Sequence, residues 1–201
     1  MRFAFAIPSQ ETNLKQFLAA REKNKHLAVR QLCKTRKGRA VERMHLGRID
    51  GSAHHRILLT CRHHSCESMA SYVLEGAMAA VLAYTESGKW FRQNVEVMAV
   101  PFVDTDGVED GDQGKNRKPR DHNRDYIDKS VHPSTAALRG LVPKWSAERL
   151  KIAIDLHCPW IRGRHNEVIY LVGSKSNTIW KSQCKFSRIL ESVCGAALPY
   201  K

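Results

Sequence analysis

Apolar positions along the chain follow two rhythms. RILLT at 56–60, VEVMAVPFV at 95–103 and KIAIDLH at 151–157 are short runs that are apolar nearly throughout. They predict buried strands, because a strand covered on both faces has no polar side to show. Residues 168–173 predict a fourth. Residues 26–32 and 40–49 alternate, which predicts two further strands around the basic turn TRKGR centred on Gly38. Elsewhere the spacing is helical. Residues 11–23 place Leu14, Phe17 and Leu18 on one face, and residues 67–84 do the same for Met69, Val73, Met78, Val81 and Leu82. Residues 146–150 close another helix. Buried strands alternating with amphipathic helices predict an α/β fold, a three-layer αβα arrangement around a mixed, mostly parallel twisted sheet.

In such sheets ligands gather beyond the carboxyl ends of the strands. Three polar clusters follow strands directly, at 62–68, 104–126 and 157–164. The first holds His64 and Glu67, three apart at a helix start and therefore on one face. An imidazole and a carboxylate there can share a metal ion; a solvated helix N-terminus, with Glu67 favourable to the helix dipole, is the plainer reading. His157 ends a predicted strand, either as a satisfied near-core histidine or as a third ligand. Two histidines and one glutamate are the donor set of a catalytic zinc site, which keeps a position open for water. The middle cluster is a long polar loop, and loops of that length are functional or disordered. Its arginines suit bidentate recognition of a carboxylate. A nucleic-acid surface is the other use for such a stretch, and the interleaved acidic residues argue against it.

Composition adds limits. The chain has 201 residues, 42% of them hydrophobic and 26% charged, enough for one domain with its own core. No apolar run is long enough to span a membrane, and the N-terminus turns polar too soon for a secretory signal. Six cysteines without a CxxC pair read as free thiols in a reducing compartment, so a cytoplasmic location is expected. The net charge of +13, dense at 21–48 and 115–124, favours anionic partners such as acidic peptides.

Four segments, in order, resemble the zinc carboxypeptidase family in its bacterial and cytosolic-type branches. RHHSCES at 62–68 is similar to the RxHxxES metal motif, PFVDTDGV at 101–108 to PxxNPDGV, DHNRDY at 121–126 to DxNR, and AIDLHC at 153–158 to the strand-end xDxH motif. FAIPS at 5–9 and TRKGR at 35–39 resemble a segment ahead of the catalytic domain. The resemblance implies one Zn2+ per chain held by His64, Glu67 and His157. It implies Asn123 and Arg124 as the grip on a substrate's C-terminal carboxylate, and Asp121 as the carboxylate orienting the first zinc histidine. It implies Arg117, with Arg120 as its rival, as the arginine that polarises the scissile carbonyl. The implied activity is release of C-terminal residues from peptides or proteins; amide hydrolysis of N-acyl amino acids, and zinc binding without turnover, are alternatives. The sequence departs from the pattern at Asp104-Thr105, where Asn-Pro is usual, and at His122, where an apolar residue is common. The family's general-base glutamate lies well downstream of the third ligand. Only Glu167 and Glu191 follow His157 here, so the base is expected to be absent and the C-terminal part of the fold missing. Residues 1–50 are expected as a lead-in segment that packs on or enters the catalytic domain, and 51–201 as that zinc carboxypeptidase-like domain, incomplete.

Overall fold

A computed structural model describes residues 6–158 and 169–194. The chain divides into two compact units, Met1–Cys158 and Pro159–Lys201. The first unit is built on a five-stranded sheet of β1 (Leu27–Lys34), β2 (Ala40–Gly47), β3 (His55–Cys61), β4 (Val95–Val100) and β5 (Leu150–Leu156), in the spatial order β1-β2-β4-β3-β5. β3 runs parallel to both β4 and β5, while β1, β2 and β4 pair antiparallel. The sheet is therefore mixed, with its parallel half on the β3 side.

Connection length explains the division. β1 and β2 are joined by the TRKGR turn, in which the Thr35 N–H donates to the Arg39 carbonyl at 2.8 Å and Gly38 takes φ +81°. A turn this short admits only antiparallel neighbours. The connections from β3 to β4 and from β4 to β5 are long and helical, so those strands come back parallel. Residues 1–50, expected as a lead-in, supply two strands of this one sheet.

Helices cover both faces. On one, α1 (Glu11–Ala19), α2 (Ser68–Leu82) and α3 (Glu86–Asn94) accompany a core of Met44, Leu46, Leu59, Val95, Val97 and Ala99 packed with Leu14, Leu74 and Met78. On the other, Leu138 of α5 (Pro133–Ser146) joins Val41, Val100 and Val103. Every residue of β4 is buried, as its nearly unbroken apolar run requires. Its polar member, Glu96, accepts hydrogen bonds from His45 Nδ1 at 2.7 Å, Trp145 Nε1 at 2.9 Å and Arg56 Nε at 3.0 Å. A buried carboxylate so fully partnered can stay ionised, and these bonds, with the nearby charges of His45 and Arg56, outweigh the effect of burial and lower its pKa.

Several sequence expectations are corrected. The buried face of α2 is Ala70, Ser71, Leu74, Met78, Val81 and Leu82, while Met69 and Val73 are exposed. At 100° per residue Val73 cannot share a face with Met78, and Leu74 takes the inward position. Residues 104–126 contain a short helix, α4 (Thr105–Asp110), and a 3-10 turn at His122–Arg124. α3 was not expected, because its stretch is mostly polar. Residue 168 and most of the cluster at 157–164 lie outside the described residues, and residues 170–173 form no strand. The second unit contributes α6 (Asn177–Val193), also unexpected, with Ile179, Trp180 and Ile189 about half exposed. Among the described residues no helix is long and apolar enough to cross a membrane, and the six cysteines are free.

Candidate metal centre

β3 ends in a turn that its own arginine holds together. Arg62 takes the left-handed φ of +60°, uncommon for a side-chain-bearing residue. Its buried guanidinium donates to the carbonyls of Ser65 at 3.0 Å and Ser9 at 3.0 Å, and to Ser71 Oγ at 2.9 Å. The turn is also tied to the loop after α4. The Cys66 N–H donates to the Gln113 carbonyl, and Ser65 Oγ donates to that of Asp112 at 2.8 Å. Gly114, at φ +81°, approaches so closely that a Cβ there would lie 2.5 Å from the Ser65 nitrogen.

Glu67 sits at the N-cap of α2 with its side chain 4% exposed. His64 Nδ1 lies 3.1 Å from its Oε1, and His157 Nδ1, delivered by the end of β5, lies 2.7 Å from its Oε2. The Lys115 ammonium is 2.8 Å from Oε1. Burial works to raise the Glu67 pKa, but hydrogen bonds from His157, His64 and Lys115 hold it far below the usual carboxylate range. His157 shows the reciprocal effect. Burial opposes its charge, yet bonds to Asp155 and Glu67 raise its pKa to about 10. One donor atom each from His64, Glu67 and His157 falls within 4.8 Å of the others. Two imidazoles on either side of a buried carboxylate form a donor set suited to zinc with a position left open. His63, Asp155 and His157 form a second group within the same distance.

Asp155 lies behind His157. Its Oδ2 is 2.5 Å from His157 Nε2, and its Oδ1 accepts from Thr60 Oγ1 at 2.8 Å and lies 2.7 Å from His63 Nδ1. The other nitrogen of His63 is 2.7 Å from the Tyr126 hydroxyl.

The comparisons agree with this architecture. Cytosolic carboxypeptidase 4 of Mus musculus is 26% identical over 147 residues, 71% of this chain and 13% of that protein. Cytosolic carboxypeptidase 3 of Bos taurus is 24% identical over 206 residues, 96% of this chain and 20% of that protein. The metallo-carboxypeptidase of Burkholderia cenocepacia superposes with a TM-score of 0.71 at 21% identity, over 93% of this chain and 51% of that one. The chain is thus similar in sequence to cytosolic carboxypeptidases and has the metallo-carboxypeptidase fold. Carboxypeptidase A of Helicoverpa armigera has the same fold, with a TM-score of 0.70 at 14% identity over 98% of this chain and 57% of that one. No family model matches. The chain thus spans a fifth or less of the length of these curated relatives and about half of these solved carboxypeptidases.

The remaining carboxypeptidase positions expected from sequence lie in the loop between α4 and α5. Asp121 accepts from the backbone N–H groups of Arg124 at 3.1 Å and Asn116 at 3.3 Å, capping the turn that carries Asn123 and Arg124. Both of those side chains are exposed, and Arg124 Nε is 3.9 Å from Asp121. Arg117 pairs with buried Asp104 at 2.6 Å and with Asp112 at 3.2 Å. Arg120 donates to buried Asp125 at 2.7 Å. Glu191 lies on α6, and Glu167 is outside the described residues. Sequence reasoning passed over Lys115, His63, Asp155 and Tyr126. The spacing of Asp155 and His157, two apart where β5 ends, was the available signal; nothing local marks Lys115 or Tyr126.

Proposed function

We propose that the chain carries the zinc centre and the carboxylate grip of a metallocarboxypeptidase that hydrolyses the C-terminal peptide bond of peptides or proteins. The supporting observation is the convergence of His64, Glu67 and His157 at the carboxyl ends of the parallel strands β3 and β5, in the zinc-carboxypeptidase fold. One Zn2+ bound there would polarise a carbonyl and activate water. The chain's own residues have separate tasks. Glu67 supplies a charge already ionised and buried, and His157 offers Nδ1 once its proton leaves. Arg124 and Asn123, both exposed, receive the terminal carboxylate through a guanidinium fork and an amide. Arg117, anchored on Asp104, exchanges its more exposed partner Asp112 for the substrate carbonyl. The net charge of +13 favours acidic peptides, and the relatives named cytosolic favour a cytoplasmic location.

The test is incubation of the zinc-supplied protein with peptides ending in acidic, basic and apolar residues, with amino-acid release read by mass spectrometry. Release that stops with a chelator and returns with zinc supports the full proposal. One zinc per chain without release leaves a binding site that does not turn over, and absence of bound zinc refutes the metal centre.

A further inference from the structure

Tyr126, His63 and Asp155 have no part in the function proposed above, yet they form an unbroken run of hydrogen bonds that ends on His157. We propose that these three are positioning residues that fix the ring orientation and tautomer of His157 for the metal, an inference that rests on the zinc reading. The proton positions follow from the acceptor at the centre. An ionised carboxylate has no proton to give, so each partner of Asp155 must donate. Thr60 Oγ1–H and His63 Nδ1–H donate to Oδ1, at 2.8 and 2.7 Å, and His157 Nε2–H donates to Oδ2 at 2.5 Å.

With its proton held on Nε2, the neutral His157 ring presents its Nδ1 lone pair, and Nδ1 is the nitrogen facing Glu67. With its proton held on Nδ1, His63 presents Nε2 as an acceptor, and the Tyr126 hydroxyl donates to it at 2.7 Å. Every polar atom of the run then has a partner of the right sense. His63 is 3% exposed and stands in a closed group, with both nitrogens used. That closure distinguishes it from the Glu67 group, where the third partner is the free-ended ammonium of Lys115. The end of β5 places Asp155 where it must be for this role, two residues before His157. Tyr126 follows Arg124 by two residues. The run therefore ties the segment proposed to hold the substrate's carboxylate to a ligand of the metal. Carboxylates that accept from the far nitrogen of a ligand histidine typically contribute 10–100-fold to metal affinity.

The experiment measures zinc affinity and stoichiometry of the full chain by competition with a chromophoric chelator, for the unaltered protein, Asp155→Asn and Tyr126→Phe. Long-range nitrogen–proton NMR of the histidine rings accompanies it. Zinc at one per chain, about 10–100-fold weaker in Asp155→Asn and weakened less in Tyr126→Phe, is expected. So are His157 protonated on Nε2 and His63 on Nδ1 in the zinc-bound protein. Asp155→Asn affinity within twofold of the unaltered protein, or either ring in the opposite tautomer, overturns the inference while leaving the zinc site intact. Two zinc ions per chain, one of them lost in Asp155→Asn, would make His63, Asp155 and His157 a metal site of their own and also overturn it. No zinc on the unaltered protein removes the zinc reading itself, and the inference with it. If Asp155→Asn does not fold, Tyr126→Phe decides. It removes one hydroxyl, and an unchanged His63 Nε2 resonance together with unchanged zinc affinity refutes the run.

Discussion

Asp125 holds the loop that presents Asn123 and Arg124, and Asp125→Asn tests that role quantitatively. Its side chain is fully buried. It accepts from the N–H groups of Val131 at 2.9 Å and His132 at 2.9 Å, from Thr135 Oγ1, and from Arg120 Nε at 2.7 Å. Burial raises the carboxyl pKa, but these bonds outweigh it and lower the pKa from 3.8 to about 2. At about 1.4 kcal/mol per pH unit, that displacement corresponds to about 2 kcal/mol of stability. An amide at the same place loses the charge and turns an N–H2 toward donors, so a total loss of about 3 kcal/mol is expected. For a chain of this size the melting temperature should fall by about 6–12 °C. The assay is thermal and urea unfolding followed by circular dichroism at pH 7, repeated down to pH 2. A lowered pKa stabilises fully above the unfolded-state value. The gap between the two proteins should therefore hold above about pH 4 and narrow as the pH falls toward 2. A loss below about 1 kcal/mol at pH 7, or a gap unchanged between pH 5 and 2, would refute the reasoning.

Glu67→Ala should abolish stoichiometric zinc binding in equilibrium dialysis, since it removes the carboxylate between the two histidines; retained zinc would rule Glu67 out as a ligand. Because His157 is protonated below about pH 10, zinc uptake at pH 7 should expel about one proton from that ring. Zinc affinity should then rise with pH, and calorimetric heats that do not vary with buffer ionisation enthalpy would contradict this. Gly114→Ala combines a left-handed φ with a backbone clash at Ser65, so it should cost about 2 kcal/mol or more in urea unfolding and weaken zinc binding as the loop shifts. Leu74→Ala should cost about 3 kcal/mol, whereas its exposed neighbour Val73→Ala should stay within about 0.5 kcal/mol; equal losses would place the wrong face of α2 inward.

What was legible in the sequence is what depends on neighbours along the chain. The run that became β4 is apolar because both faces of that strand are covered, and β3 is largely buried too; β5, expected as a buried strand, instead alternates half-buried and exposed residues at the end of the sheet order. The pairing of β1 with β2 was readable because a five-residue turn leaves a single geometry. His64 and Glu67 were readable because a separation of three residues lets one turn bring them together, here the turn that precedes α2. The register of α2 was misjudged at Met69 and Val73, since several apolar residues competed for the inward stripe and only packing against the sheet selects among them. α3 was missed because a mostly polar stretch can be helical when a few apolar positions such as Phe91 pack on the core.

The sequence by itself thus marked the five strands of the sheet, the order of the motifs and the three candidate zinc ligands. Tertiary structure alone decided which partners those residues meet. His157 reaches Glu67 because β5 lies beside β3 in the sheet, 90 residues apart in the chain. Lys115 reaches the same carboxylate because Gly114 lets the loop close against Ser65, and Tyr126 reaches His63 across 63 residues. Hydrogen bonds and charge pairs act over a few ångströms of space, and only folding converts separation along a chain into those distances.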